Sequence, residues 1–159
     1  MEFNDLIADF GTRHKVENLV AVDAAAALDI DGIIVTLVAK GDVLTISADI
    51  GEPPAEGAAA FSDLLLEANM QSGVFFAKTP GLGTYIAVRR LSLSTIDGDA
   101  FDSALEAFVN QAETWQRLLA DFRPVAKAAA DETEEIRQAA RKSAAERRSR
   151  RVSDTVDAF

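Results

Sequence analysis

The chain has a single histidine, His14, set between Arg13 and Lys15. Imidazole is the side chain best suited to moving protons near neutral pH. Acid–base work or metal binding needs partners at fixed spacing, however, and no local carboxylate is spaced for a triad and no second histidine exists for a ligand pair. Its cationic neighbours point to a solvated surface histidine. Carboxylates gather at Asp29-Ile30-Asp31-Gly32 and at Asp97-Gly98-Asp99 with Asp102. The first run lacks the later ligands and closing glutamate of an EF-hand loop. The second leads into a helix, where acids simply favour the positive end of the dipole. Gly81-Leu82-Gly83 resembles half a phosphate loop, but it joins two strands, so no helix N-terminus waits there for an anion. No G-x-S-x-G, H-E-x-x-H or Walker-type pattern occurs. These readings predict no catalytic residue, no cofactor and no metal, and hence a chain that is not an enzyme.

Charge is distributed unevenly. Residues 1–122 hold 7 Lys/Arg against 19 Asp/Glu, a net of −12, whereas residues 123–159 hold 9 against 7. Six of those nine cations lie in Arg141–Arg151. Such a run could touch nucleic acid or an anionic membrane, but it has no interleaved aromatics for base stacking and is tethered to an acidic body that repels polyanions. An acidic body suits a binder of basic or amphipathic polypeptide. With no cysteine there is neither a disulfide framework nor a thiolate site. The start, Met-Glu-Phe-Asn-Asp, lacks the cationic opening of a secretory signal. The longest apolar stretch, Ile33 to Ala39, is far short of the ~20 residues of a membrane span. A cytoplasmic location is the expectation.

The elements that must carry any binding surface can be read from periodicity. Phe3, Leu6, Ile7 and Phe10 fall at i, i+3, i+4 and i+7, a short amphipathic helix that Gly11 is expected to end. Residues 16–27 fit no single pattern. Leu28 to Gly32 alternates apolar and acidic residues as a short strand before a turn. Ile33–Ala39 and Val43–Ile50 read as a hairpin around Lys40-Gly41-Asp42, with Leu44, Ile46, Ala48 and Ile50 on the buried face. A second helix is expected over Glu56–Met70, followed by strands Val74–Lys78 and Thr84–Leu91. Asp97 or Asp99 can cap a last helix. There Phe101, Leu105, Phe108, Ala112, Trp115, Leu119 and Phe122 form one apolar stripe, which makes Trp115 a core residue. The predicted fold is α+β, α-β-β-β-α-β-β-α with a twisted antiparallel sheet. Residues 1–122 form that domain. Residues 123–159 form a charged Ala/Arg-rich tail, helical or partly disordered, with too few large apolar residues to pack a second core.

Several stretches resemble the type III secretion chaperones of the Tir-chaperone (CesT-like) family. Leu28-Asp29-Ile30-Asp31-Gly32 before a hydrophobic strand is similar to the family's early strand and turn. Leu64-Leu65-Leu66-Glu67-Ala68-Asn69-Met70 resembles its second helix. Arg90-Leu91-Ser92-Leu93 and Phe108-Val109-Asn110-Gln111-Ala112-Glu113-Thr114-Trp115 resemble its last strand and final helix. The resemblance covers about residues 1–122.

The resemblance implies a homodimer that binds the N-terminal segment of a secreted effector in extended form without ATP. It places the dimer contact at the second helix, with Leu64, Leu65, Ala68 and Met70 as candidates. It places effector contacts on the first helix and sheet, with Phe3, Ile7, Phe10, Phe75 and Tyr85 as candidates. The alternative is an α+β regulatory module whose basic tail contacts nucleic acid.

Overall fold

A computed structural model describes residues 2–16, 19, 21–71 and 73–124. Eight elements follow one another: α1 (Phe3–His14), β1 (Ala25–Ile30), β2 (Ile33–Lys40), β3 (Val43–Gly51), α2 (Ala58–Ala68), β4 (Phe75–Lys78), β5 (Tyr85–Ser92) and α3 (Gly98–Asp121). This is the predicted α+β order. Every strand pairing is antiparallel, in the order β1-β2-β3-β5-β4. The expected tail, including Arg141–Arg151, lies outside the described residues apart from Arg123 and Pro124.

Turn chemistry sets the register. Asp31 and Gly32 both have positive φ, 52° and 85°, the pair that a two-residue hairpin with matching twist requires. Gly32 N–H donates to Asp29 Oδ1 at 2.9 Å, which fixes the reversal. At the next turn Asp42 accepts from Ser92 Oγ at 2.6 Å and from Ser94 N–H at 2.7 Å. The β2–β3 hairpin is thus tied to the end of β5. Those bonds, first from Ser92 and then from Ser94, hold the Asp42 carboxyl below its ordinary range. A lowered carboxyl favours the fold at neutral pH, and that contribution is lost as pH falls through the lowered value.

Alternation then decides the core. Leu28, Ile33, Val35, Leu37, Leu44, Ile46, Ala48, Ile50, Phe76, Tyr85 and Ala87 are buried on one sheet face. Against them lie Phe3, Leu6, Ile7 and Phe10 of α1, Phe61 and Leu65 of α2, and Phe101, Leu105, Phe108 and Ala112 of α3. The α3 stripe therefore faces inward, with Trp115 half-buried between Phe61 and Phe76 at ring-centroid distances of 6.1 and 4.9 Å. Asp97 caps α3 by accepting from Ala100 N–H at 2.8 Å. Gly51 sits at φ 133° beside a register shift between β3 and β5. A Cβ there would come within 3.0 Å of Leu119, so glycine lets the far end of α3 approach the sheet.

Some boundaries differ from expectation: β1 begins at Ala25, ahead of Leu28, and α2 is confined to Ala58–Ala68. Gly11 does not end α1, which runs another turn to His14. A glycine inside a helix costs only ~1 kcal/mol, and here the last turn has anchors. Thr12 Oγ1 donates to Ala8 C=O, Arg13 bonds Asp9, and Lys15 takes the left-handed cap conformation.

Candidate functional site

The sheet order leaves β1 at an edge. Its inner side is bonded to β2, and the outer side follows from the antiparallel alternation. Ala39 N–H bonds Ala24 C=O, so Ala24, Ala26, Leu28 and Ile30 direct their backbone groups toward β2. Ala25, Ala27 and Asp29 then direct theirs outward. Val22 engages Ala25 through bonds of 2.8 and 2.9 Å. Among the described residues no strand pairs with Ala27 or Asp29 on that side. An unpaired row of this kind is a template for an added strand.

Directly beside it opens a pocket of about 540 Å³, lined from α1, β1 and α3. Phe10, Leu28, Leu105 and Val109 form its apolar wall. His14, Asp29, Asp31, Asp102, Glu106 and Asn110 form its polar margin. The walls are held in place by a clamp between α1 and α3. Arg13 Nε bonds Asp9 at 2.8 Å, and its guanidinium reaches Asp102 through two nitrogens and Gly98 C=O at 3.1 Å. The Asp102 bond, opposed by partial desolvation, shifts Arg13 further toward its charged form. A Cβ on Gly98 would meet the side-chain ends of Asp9 and Arg13 at 2.6 and 2.7 Å, so any larger residue there would displace the clamp. His14 Nε2 lies 2.8 Å from Asp102 Oδ2, and its ring stacks near Phe10 at 4.4 Å. Sequence reading gave His14 no carboxylate partner, because Asp102 is 88 residues away and spacing carries no signal at that distance.

His14 with Asp102 is two-thirds of a nucleophilic triad, but no serine, threonine or cysteine lines the pocket. Among the described residues no group of three or more candidate ligands could hold a metal ion. What these residues offer is an edge to bond to and a pocket to fill.

The candidates named from sequence are placed unequally. Phe3, Ile7, Phe10 and Tyr85 are buried in the chain's own core, so they are structural first. Phe10 alone of these also lines the pocket. Tyr85 spends its hydroxyl on Ser62 and on Ala58 C=O. Phe75 is 52% exposed and stands on the outer sheet face opposite Val88. On α2, Leu65 is buried, Ala68 half-buried and Leu64 exposed, and Met70, in the turn just past the helix, is 87% exposed. Leu66, not among the candidates, is exposed too. The pocket residues Leu28, Leu105 and Val109 were missed as a site. They fit core periodicity, and only the tertiary fold leaves a gap beside them.

The sequence profile of the Tir chaperone protein (CesT) family matches residues 5–116. The chain belongs to that family. No curated protein matches the sequence. Among solved structures, the CesT-family chain is similar to the ExsC–ExsE complex, at 22% identity and TM-score 0.64, covering 73% of this chain and 92% of that one. It is similar to the Yersinia pestis type III secretion chaperone SycH in complex with a stable fragment of YscM2, at 18% identity and TM-score 0.59, covering 72% and 99%. It also resembles YbjN of E. coli, a candidate transcription regulator, at 14% identity and TM-score 0.55, covering 73% and 90%. At these identities the likeness to solved structures establishes the fold of the CesT-family domain. No described helix is long and apolar enough to cross a membrane.

Proposed function

We propose that this CesT-family chain is a type III secretion chaperone that holds the N-terminal segment of a secreted effector in extended form. The observation that carries the reading is the unpaired outer edge of β1 running beside the 540 Å³ pocket. An extended segment would bond to Ala27 and Asp29 and bury alternate apolar side chains. Affinity of this kind needs no nucleotide and no bond-making, which supports a non-enzymatic binder, and membership of the CesT family supports a cytoplasmic one. The test is co-purification of the chain with successive N-terminal fragments of a secreted protein encoded beside it. A short N-terminal fragment should suffice for capture without ATP and after nuclease treatment. Capture that survives deletion of that fragment, or that vanishes with nuclease, would sink the reading, the latter in favour of nucleic-acid binding.

The proposal includes a homodimer through the exposed apolar residues of α2. Leu64 and Leu66 on α2 and Met70 just past its end are all exposed, and a second copy would remove them from water. Asn69 fixes this helix to β4 by bonding both N–H and C=O of Phe76. Light scattering should return twice the monomer mass, and L64E with M70E should return the monomer with unchanged circular dichroism. A wild-type monomer at micromolar concentration would remove the dimer.

A further inference from the structure

The pocket beside β1 is apolar inside and acidic at its mouth, and together these features restrict what can lie there. Leu28, Leu105 and Val109 are buried and offer contact to an aliphatic side chain. At the mouth, Asp29, Asp31 and Glu106 are exposed, and none forms an ion pair among the described residues. Asp102 is already engaged by Arg13 and His14. The carboxylates of Asp29, Asp31 and Glu106, of which Asp29 also accepts from Gly32 N–H, thus border one opening that no lysine or arginine lines. Charges around an opening act jointly on a group that passes within ~10 Å of them, the distance over which ~0.1 M salt leaves the interaction unscreened. A strand added to β1 turns alternate residues toward the pocket. The residues two places from an anchored side chain face the same way and would then pass the acidic mouth.

We infer that the segment seated on β1 carries an aliphatic anchor flanked by lysine or arginine, and that the acidic mouth rejects segments with glutamate or aspartate in those flanks. This rests on the reading of β1 as the docking edge. The aliphatic anchor supplies affinity, and the flanks supply discrimination, since a like charge at the mouth is penalised as an opposite one is favoured. The wider acidity of residues 1–122, net −12, adds long-range attraction for a basic segment.

Three short fluorescent peptides of alternating leucine and threonine, differing only in lysine, glutamine or glutamate at the two positions two residues either side of the central leucine, which face the same side as that leucine, test this on the full chain. The lysine peptide should bind about tenfold more tightly than the glutamate peptide at low salt, with glutamine between them and the gap closing at high salt. D31N with E106K, which brings the three mouth charges to a net of zero, should abolish that preference, and since both positions are exposed and asparagine tolerates the left-handed backbone of Asp31 the fold should be unchanged by circular dichroism. Equal binding of all three peptides would overturn the charge preference and leave the docking edge standing. A lysine preference that persists in the double variant would also overturn it, because the preference would then arise elsewhere. If no peptide binds, the docking edge and the preference fall together.

Discussion

Phe61→Ala is expected to cost about 3–5 kcal/mol, the range for truncating a fully buried phenylalanine. For a domain whose total stability is of order 5–15 kcal/mol, that is a large share. The expectation comes from where the ring sits. Phe61 is 1% exposed and is surrounded by Tyr85 at 5.5 Å, Trp115 at 6.1 Å and Phe122 at 5.1 Å. Removing it leaves three aromatic rings without their common neighbour, and α2 loses one of its two buried anchors, the other being Leu65. Chemical denaturation would show a lowered midpoint with an unchanged slope. Phe61→Leu, which keeps most of the volume, should recover more than half of the loss. A Phe61→Ala protein as stable as the parent would mean that α2 is not anchored as described.

Ala27→Pro should abolish capture of the extended partner while leaving the fold intact. The Ala27 side chain is exposed, and its N–H points away from β2, so proline removes no bond of the existing sheet. An edge strand is the one place in a sheet where proline is tolerated on the solvent side. What proline does remove is a donor that an added strand needs, and its ring blocks close approach. Partner binding should fall by at least about tenfold, the equivalent of one good hydrogen bond with its attendant packing. Thermal unfolding should stay near that of the parent. Unaltered capture by a folded Ala27→Pro chain would move the docking site away from β1, and Ala26→Pro, which removes an inward donor, should instead destabilise the sheet.

The fold was largely legible because its strands and last helix repeat simple periods. Leu44, Ile46, Ala48 and Ile50 alternate with polar residues and are all buried. The stripe from Phe101 to Ala112 faces inward as its spacing requires. Helix ends were less legible: Gly11 read as a stop, yet side-chain bonds from Thr12 and Arg13 carry α1 past it. The site was legible only in part. Apolar periodicity marks a residue as inward-facing without saying whether it meets another side chain or a gap. Phe3 and Ile7 therefore read as surface candidates and are core, while Leu105 and Val109 read as core and also border the pocket. The β1 edge had a trace in the alternation from Leu28 to Gly32, but that β1 is an edge strand follows from the long-range pairing of β3 with β5.

That same pairing sets a clock. β1, β2 and β3 are joined by two-residue turns, and β4 meets β5 through a short hairpin, so each half of the sheet can form within ~1–10 μs. Uniting them requires β5 to find β3 across the whole of α2, from Gly51 to Tyr85. Loop-closure entropy must be met there before eight register pairs repay it. The slow step in folding is therefore expected to be the meeting of the two hairpin units. Short of that meeting β3 and β5 would each offer an open edge besides those of β1 and β4, and their pairing leaves the finished sheet with β1 as the longer of two rims.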